Sequence, residues 1–142
     1  MTTDPDAWDP LLDDLQGRRE AARAMGGEDR LARHRDKGGG GRLDARARID
    51  HLLDAGSFRE IGTLVGTPAG DVPADGIVTG SGMVDGRPVM IGAEDFTVLG
   101  GSIGPGSTAK RHRIAELAER DRMPLVMLLE GAGHRPPGTG AE

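Results

Sequence analysis

The chain has no cysteine and no tyrosine, and only Trp8, Phe58 and Phe96 are aromatic. Without thiols there are no disulfides and no thiol nucleophile. That suits a reducing compartment, and a cytoplasmic setting is the expectation. No apolar run approaches the roughly 20 residues needed to span a bilayer, so no membrane partner is expected. The N-terminus carries Asp4, Asp6 and Asp9 and no apolar stretch, so it does not read as a signal peptide. Excess positive charge is missing as well. The 18 basic and 23 acidic residues give a net charge of −5, which supplies no general attraction to nucleic acid or acidic membrane. Large core side chains are scarce: 36% of residues are hydrophobic, and the 24 glycines add apolar count without filling space. The 142 residues fit one domain, but a tightly packed free-standing one is not expected from this composition.

Residues 1–9 are polar and are expected to be disordered. Asp9-Pro10 signals a helix start. Leu11, Leu12, Leu15, Arg19, Ala22 and Met25 then recur at helical spacing, and Gly26-Gly27 ends the element. A second, strongly charged helix is predicted over 28–37, and the glycines at 38–41 break the chain. Asp44 caps a third helix with Ile49, Leu52 and Leu53 on one face and Gly56 beyond its end. Strands are predicted over 58–65, 77–84 and 89–93, with a Gly/Pro loop from 66 to Asp75. Asp85-Gly86 joins the last two as a hairpin. Gly80, Gly82 and Gly92 mark weak strand positions or close backbone approach.

Residues 95–136 carry the most information. A strand over 96–99 leads into Gly100-Gly101-Ser102-Ile103-Gly104-Pro105-Gly106. A helix follows, capped by Ser107 or Thr108 and running to about Arg122, with Ile114, Leu117 and Ala118 inward. The continuous apolar run at 125–129 predicts a strand covered on both faces. Gly131-Ala132-Gly133 then forms a second small-residue loop. This is a βαβ unit with a glycine-rich turn at the carboxyl end of each strand, where open α/β folds bind ligands. No helix follows the second loop, so the domain is expected to be cut off in mid-architecture.

Two chemistries fit these loops. Gly104-x-Gly106-x-x-Ala109 matches the dinucleotide fingerprint, with Glu130 where a ribose-binding acid belongs. The first strand is poor for that reading, since Glu94 and Asp95 fall where apolar residues are wanted. Alternatively, backbone N–H groups of the second loop form an oxyanion hole for an enolate. On spacing alone, a plain strand-to-helix turn accounts for the same residues.

Further residues carry a resemblance. Gly41-Arg42-Leu43-Asp44-Ala45-Arg46-Ala47-Arg48-Ile49-Asp50, then Leu52-Leu53-Asp54-Ala55-Gly56-Ser57-Phe58, resemble the opening of biotin-dependent acyl-CoA carboxylase β subunits. Asp75-Gly76-Ile77-Val78-Thr79-Gly80 and Asp95-Phe96-Thr97-Val98-Leu99-Gly100-Gly101-Ser102 resemble two further segments of that family. Glu130-Gly131-Ala132-Gly133-His134-Arg135 lies where the family has an acidic residue and S-G-G-A-R. The matches are in order and span nearly all of residues 11–135.

The resemblance implies an α/β, crotonase-like carboxyltransferase domain, incomplete over 57–142 and preceded by a helical segment over 1–56. It implies transfer of a carboxyl group from carboxybiotin to the α-carbon of an acyl-CoA. The thioester oxygen would be held by Ala132 and Gly133. Gly100, Gly101 and Ser102 would line the acyl-CoA pocket, and Arg135 would support the loop or meet a CoA phosphate. Biotin would be carried on a partner chain or domain. The partners implied are acyl-CoA, a biotin carboxylase or biotin carrier subunit, and further copies in a homo-oligomer. Gly131, His134 and Pro136-Pro137 depart from the family pattern. The chain matches only the beginning of the family subunit, so independent activity is not expected, and a non-catalytic remnant that only packs against partners stays open.

Other residues read both ways. His134 is an acid–base candidate or a loop residue. Lys110, Arg111 and Arg113 are CoA-phosphate contacts or a solvated helix face. Glu94 and Asp95 would face opposite sides of a strand, which excludes shared acid–base work. His34, His51 and His112 lack ligand-like spacing, so no metal site is expected. Residues 18–48 hold ten basic and five acidic residues. Interspersed acids and absent stacking aromatics argue against a nucleic-acid arm, and the resemblance implies subunit packing there.

Overall fold

A computed structural model describes residues 8–67 and 72–136. The polar leader before Trp8, part of the loop preceding Asp75, and the stretch from Pro137 onward lie outside the described residues.

Helix α1 spans Asp9–Arg23, with Pro10 in its first turn. It buries only Ala22, and Leu11 and Leu12 stand exposed. Helix α2 spans Glu28–Asp36 and buries His34. The glycines at 38–41 all take positive φ, from 78° to 93°, a conformation that favours glycine. Helix α3 spans Ala45–Leu52, and the Asp44 carboxylate accepts the Ala47 N–H at 3.0 Å as its cap. Burial alone would raise the Asp44 carboxyl. Hydrogen bonds from Ala47 and Arg35 outweigh that effect and hold it below the usual carboxylate range.

The sheet has order β1-β2-β3-β4. The predicted strand over 58–65 shrinks to β1, Arg59–Glu60. One further bond, Ile61 N–H to Thr79 O at 2.8 Å, extends the pairing. Gly62 then turns the chain away at φ 77°. β2 (Ile77–Val84) and β3 (Arg87–Glu94) pair antiparallel along their whole length. Asp85 and Gly86 both have positive φ, as a type I′ hairpin turn requires. The Asp54 carboxylate accepts both of their N–H groups, at 3.0 and 2.8 Å. A side chain at Gly82 would collide with Leu53, so helix and strand approach backbone-close there.

The βαβ unit is present, with a different first strand. β3 itself, ending at Glu94, leads into the loop, and residues 96–99 form turns rather than a strand. Helix α4 spans Pro105–Asp121 and follows its N-cap, Gly104. Ser107 is not the cap: its Oγ accepts the Gly104 N–H at 2.8 Å and donates to the Gly104 carbonyl at 3.0 Å. β4 (Leu125–Leu128) runs parallel to β3.

Side chains of β3 alternate between two layers. Val89, Ile91 and Ala93 join Val78, Ala45, Ile49 and Leu53 under α3. Met90 joins Leu117 and Ala118 of α4 on the opposite face. Ile49, Ile91 and Ile114 are fully buried, each contributing about 1.5–3 kcal/mol of hydrophobic stabilisation. β4 is not covered on both faces as predicted. It is an edge strand here, and Leu125 is 40% exposed.

Candidate functional site

Two loops leave the carboxyl ends of the parallel strands: residues 95–104 after β3 and 130–136 after β4. Three backbone hydrogen bonds stitch them together. Ala132 N–H donates to Gly100 O at 2.9 Å, Ile103 N–H to Gly133 O at 2.8 Å, and Arg135 N–H to Ile103 O at 2.9 Å. Leu99, Gly100 and Gly101 form a tight turn with φ of 49°, 65° and 63°. This brings Gly101 against Gly131, leaving no space for side chains at that contact.

The two residues expected to act as donors differ. The Ala132 N–H is spent on Gly100, which takes it out of the expected pair. The Gly133 N–H has no acceptor among the described residues, and Gly133 sits exposed at φ 92°. The Gly131 N–H, on the other side of Ala132, is likewise without an acceptor among them.

Ser102 and Arg135 are buried under the stitch. Ser102 Oγ donates to Leu99 O at 2.7 Å and accepts from Arg135 Nε at 3.1 Å. Arg135 Nη2 meets Asp75 Oδ1 at 2.5 Å. Arg135 therefore supports the loop rather than facing a ligand. Asp75 Oδ2 also accepts the Ser107 N–H at 3.0 Å. The positive end of α4 is thus already occupied by a carboxylate. The space beside Gly104 is filled by the Arg135 guanidinium, so a pyrophosphate has no room at the dinucleotide fingerprint.

Lys110 is on neither a solvated face nor a phosphate site. It is buried, and its Nζ donates to Ile77 O at 2.9 Å. Burial pushes its ammonium down to about 8. Arg111 meets Glu94 Oε1 at 2.5 Å, and Arg113 pairs with Glu116 on the surface. His134 bridges to Ile103 in the stitch and is exposed.

Sequence reasoning missed a charged hub beneath the second loop. Glu130 is held by Arg42, by Arg48 Nη2 at 3.1 Å and by His34 Nε2 at 3.6 Å. Its N–H donates to the Glu94 carboxylate. Arg48 also donates to Glu94 O at 2.5 Å and Leu128 O at 3.5 Å, so it bridges the ends of β3 and β4. Glu94 and Asp95 keep separate partners. Burial pushes the Asp95 carboxyl up, against hydrogen bonds from Thr97. Sequence offered one signal, the Arg-rich stretch at 42–48, but the Arg48 acceptor on Leu128 lies 80 positions away and Glu130 lies beyond it. Among the described residues no three His, Asp or Glu side chains are grouped to hold a metal ion.

A cleft of about 290 Å³ opens beside the hub, lined by Arg30, Arg33, His34, Lys37, Phe96 and Thr97.

The carboxyl transferase domain family matches residues 36–139. The propionyl-CoA carboxylase carboxyltransferase subunit of Haloferax mediterranei is 40% identical over 131 residues, covering 87% of this chain and 25% of the relative. The biotin-dependent long chain acyl-coenzyme A carboxylase β4 subunit of Mycobacterium tuberculosis is 43% identical, covering 87% and 24%. Among solved structures, the transcarboxylase 12S hexamer with methylmalonyl-coenzyme A and methylmalonic acid bound superposes with a TM-score of 0.80. It is 34% identical over 87% of this chain and 25% of that one. The chain spans about a quarter of the length of these relatives.

Proposed function

The chain belongs to the carboxyl transferase domain family and carries part of its crotonase-like α/β fold, and from that premise we propose that it forms the acyl-CoA half of a biotin-dependent carboxyltransferase site. Its named relatives are acyl-CoA carboxyltransferases, which supports the reaction class. Biotin, on a partner chain or domain, would supply the carboxyl group as carbon dioxide and a ureido nitrogen to take the α-proton. This chain's part is to hold the thioester carbonyl while negative charge builds on its oxygen. The enolate carbon then bonds to carbon dioxide, and the carbonyl reforms.

One observation carries the reading: the open Gly133 N–H, held in a loop fixed on both sides by backbone bonds to residues 100–103. A preorganised donor of this kind costs no rearrangement when the oxyanion forms, and removing one lowers turnover by about 10²–10³-fold. Ala132 supports the loop instead of donating. A biotin carboxylase or carrier partner, a homo-oligomeric assembly and a cytoplasmic location belong to the same proposal.

The test uses propionyl-CoA isotope-labelled at the thioester carbonyl. On saturating the chain, the carbonyl resonance is expected to move downfield, and Gly133→Val is expected to abolish the shift. An unmoved resonance with bound ligand would sink the donor assignment. Absence of any binding would favour a piece that only packs against partners.

A further inference from the structure

The glycine spacing at the start of α4 has a use that a dinucleotide does not supply. A side chain at Gly104 would collide with the Arg135 guanidinium, and one at Gly106 would strike Gly66 O and press on Asp75. The two glycines therefore shape a socket, and an ion pair fills it. Asp75 and Arg135 lie 60 positions apart in the chain and meet there at 2.5 Å. Asp75 is 0% exposed and Arg135 6%.

The Asp75 carboxylate is divided between two partners. Oδ2 accepts the Ser107 N–H in the first turn of α4 at 3.0 Å, and Oδ1 accepts Arg135 Nη2. The Asp75 main chain is itself pinned, with its N–H donating to Val65 O at 3.2 Å. Arg135 extends the hold to both loops. Its Nε donates to Ser102 Oγ at 3.1 Å, its Nη2 to Ser102 O at 3.2 Å, and its N–H to Ile103 O at 2.9 Å. Stability is a poor reason for this pair. Desolvation of a buried carboxylate and guanidinium offsets their attraction, and apolar residues of similar volume often serve stability as well. Arg135 Nη1 is also buried with no hydrogen-bond partner among the described residues, which adds a penalty. Direction is what the pair supplies and an apolar contact does not. The rigid fork of the guanidinium fixes Arg135 against Asp75 and Ser102 at once.

Gly133 is two residues before Arg135, and its carbonyl accepts the Ile103 N–H at 2.8 Å. We propose that Asp75 is a positioning residue for the Gly133 donor, acting through Arg135. The carboxylate sets the guanidinium, the guanidinium sets residues 102, 103 and 135, and these hold the Gly133 N–H in place. This rests on the acyl-CoA reading above. Asp75 itself touches no substrate. Its effect falls on how well the thioester oxygen is met, and not on how tightly the rest of the ligand is held. A displacement of about 1 Å at such a site is enough to lower turnover about 10²-fold.

The test compares the full chain with Asp75→Asn and with the apolar pair Asp75→Leu plus Arg135→Met. Three quantities are read: amide exchange in the free chain, affinity for propionyl-CoA, and the thioester carbonyl resonance at saturation. Both variants are expected to melt near the wild-type temperature. Affinity is expected to stay within about threefold of wild type, because contacts to the rest of the ligand are untouched. The carbonyl shift is expected to fall by about half or more. Exchange at Ala132 and Ile103, whose N–H groups make the stitch, is expected to quicken at least about tenfold while Ile91 in β3 exchanges as before. Wild-type exchange and a wild-type carbonyl shift in both variants would overturn the proposal. So would exchange that quickens equally at Ile91, or loss of the fold in both variants, since either assigns the pair to stability alone. Faster exchange confined to the stitch, in a chain that binds no propionyl-CoA or leaves its carbonyl unmoved, would keep Asp75 as the holder of the loop and overturn the acyl-CoA reading.

Discussion

Lys110 lies four residues before Ile114, so helical periodicity puts the two on one buried face. That signal was available in the sequence, but a lysine reads as a surface residue until its neighbours are known. Its burial has a measurable consequence. Below about pH 8 the amine is charged in folded and unfolded chains alike, and folding bears the whole cost of desolvating it. Between about 8 and 10.5 the unfolded chain keeps the proton and the folded chain does not, so stability rises with pH in that window. The melting temperature of wild type relative to Lys110→Met is expected to climb as pH is raised through it. A flat difference would mean the amine keeps its ordinary pKa.

At the scale of elements, Asp85-Gly86 announced the hairpin because a type I′ turn demands positive φ at both positions. The apolar content of residues 58–65 misled, since Gly62 turns the chain before a longer strand can pair. The apolar side chain of Phe96 fits a strand equally well, whereas in the structure it is the face on which His34 stacks. The family-like segments located both loops but not their stitching, which depends on which N–H meets which carbonyl. The bridging of β3 and β4 by Arg48 was also hidden, because its acceptors are backbone oxygens that no side-chain pattern reports. Arg48→Met is expected to cost about 2–4 kcal/mol in urea unfolding, by leaving Glu130 short of a partner and two strand ends unbridged. It should also speed amide exchange at residues 130–133. Normal exchange there would separate the bridge from the loop.

At the scale of the whole molecule, the sheet among the described residues has two edges, the two-residue β1 and the longer β4. β4 presents an unpaired edge among the described residues, with Leu129 67% exposed. An uncovered strand edge beside apolar side chains favours association. Sedimentation is expected to show concentration-dependent self-association that Leu129→Lys reduces. A monomer at all concentrations would show that the edge is covered in solution. The same composition that made a free-standing core doubtful is visible here: α3 and α4 cover the centre of the sheet, and α1 leaves Leu11 and Leu12 to solvent.

The stitch between the two loops uses only main-chain atoms, and this decides where the gene can drift. At 132 and 134 a new side chain leaves the backbone bonds intact, so a saturation library should recover many substitutions there. At Gly101 and Gly131 any Cβ crowds the opposite loop, and Gly100 and Gly133 need positive φ. A population under selection to keep this stitch would therefore hold glycine at 100, 101 and 133, the positions of positive φ, and vary more readily at 132 and 134.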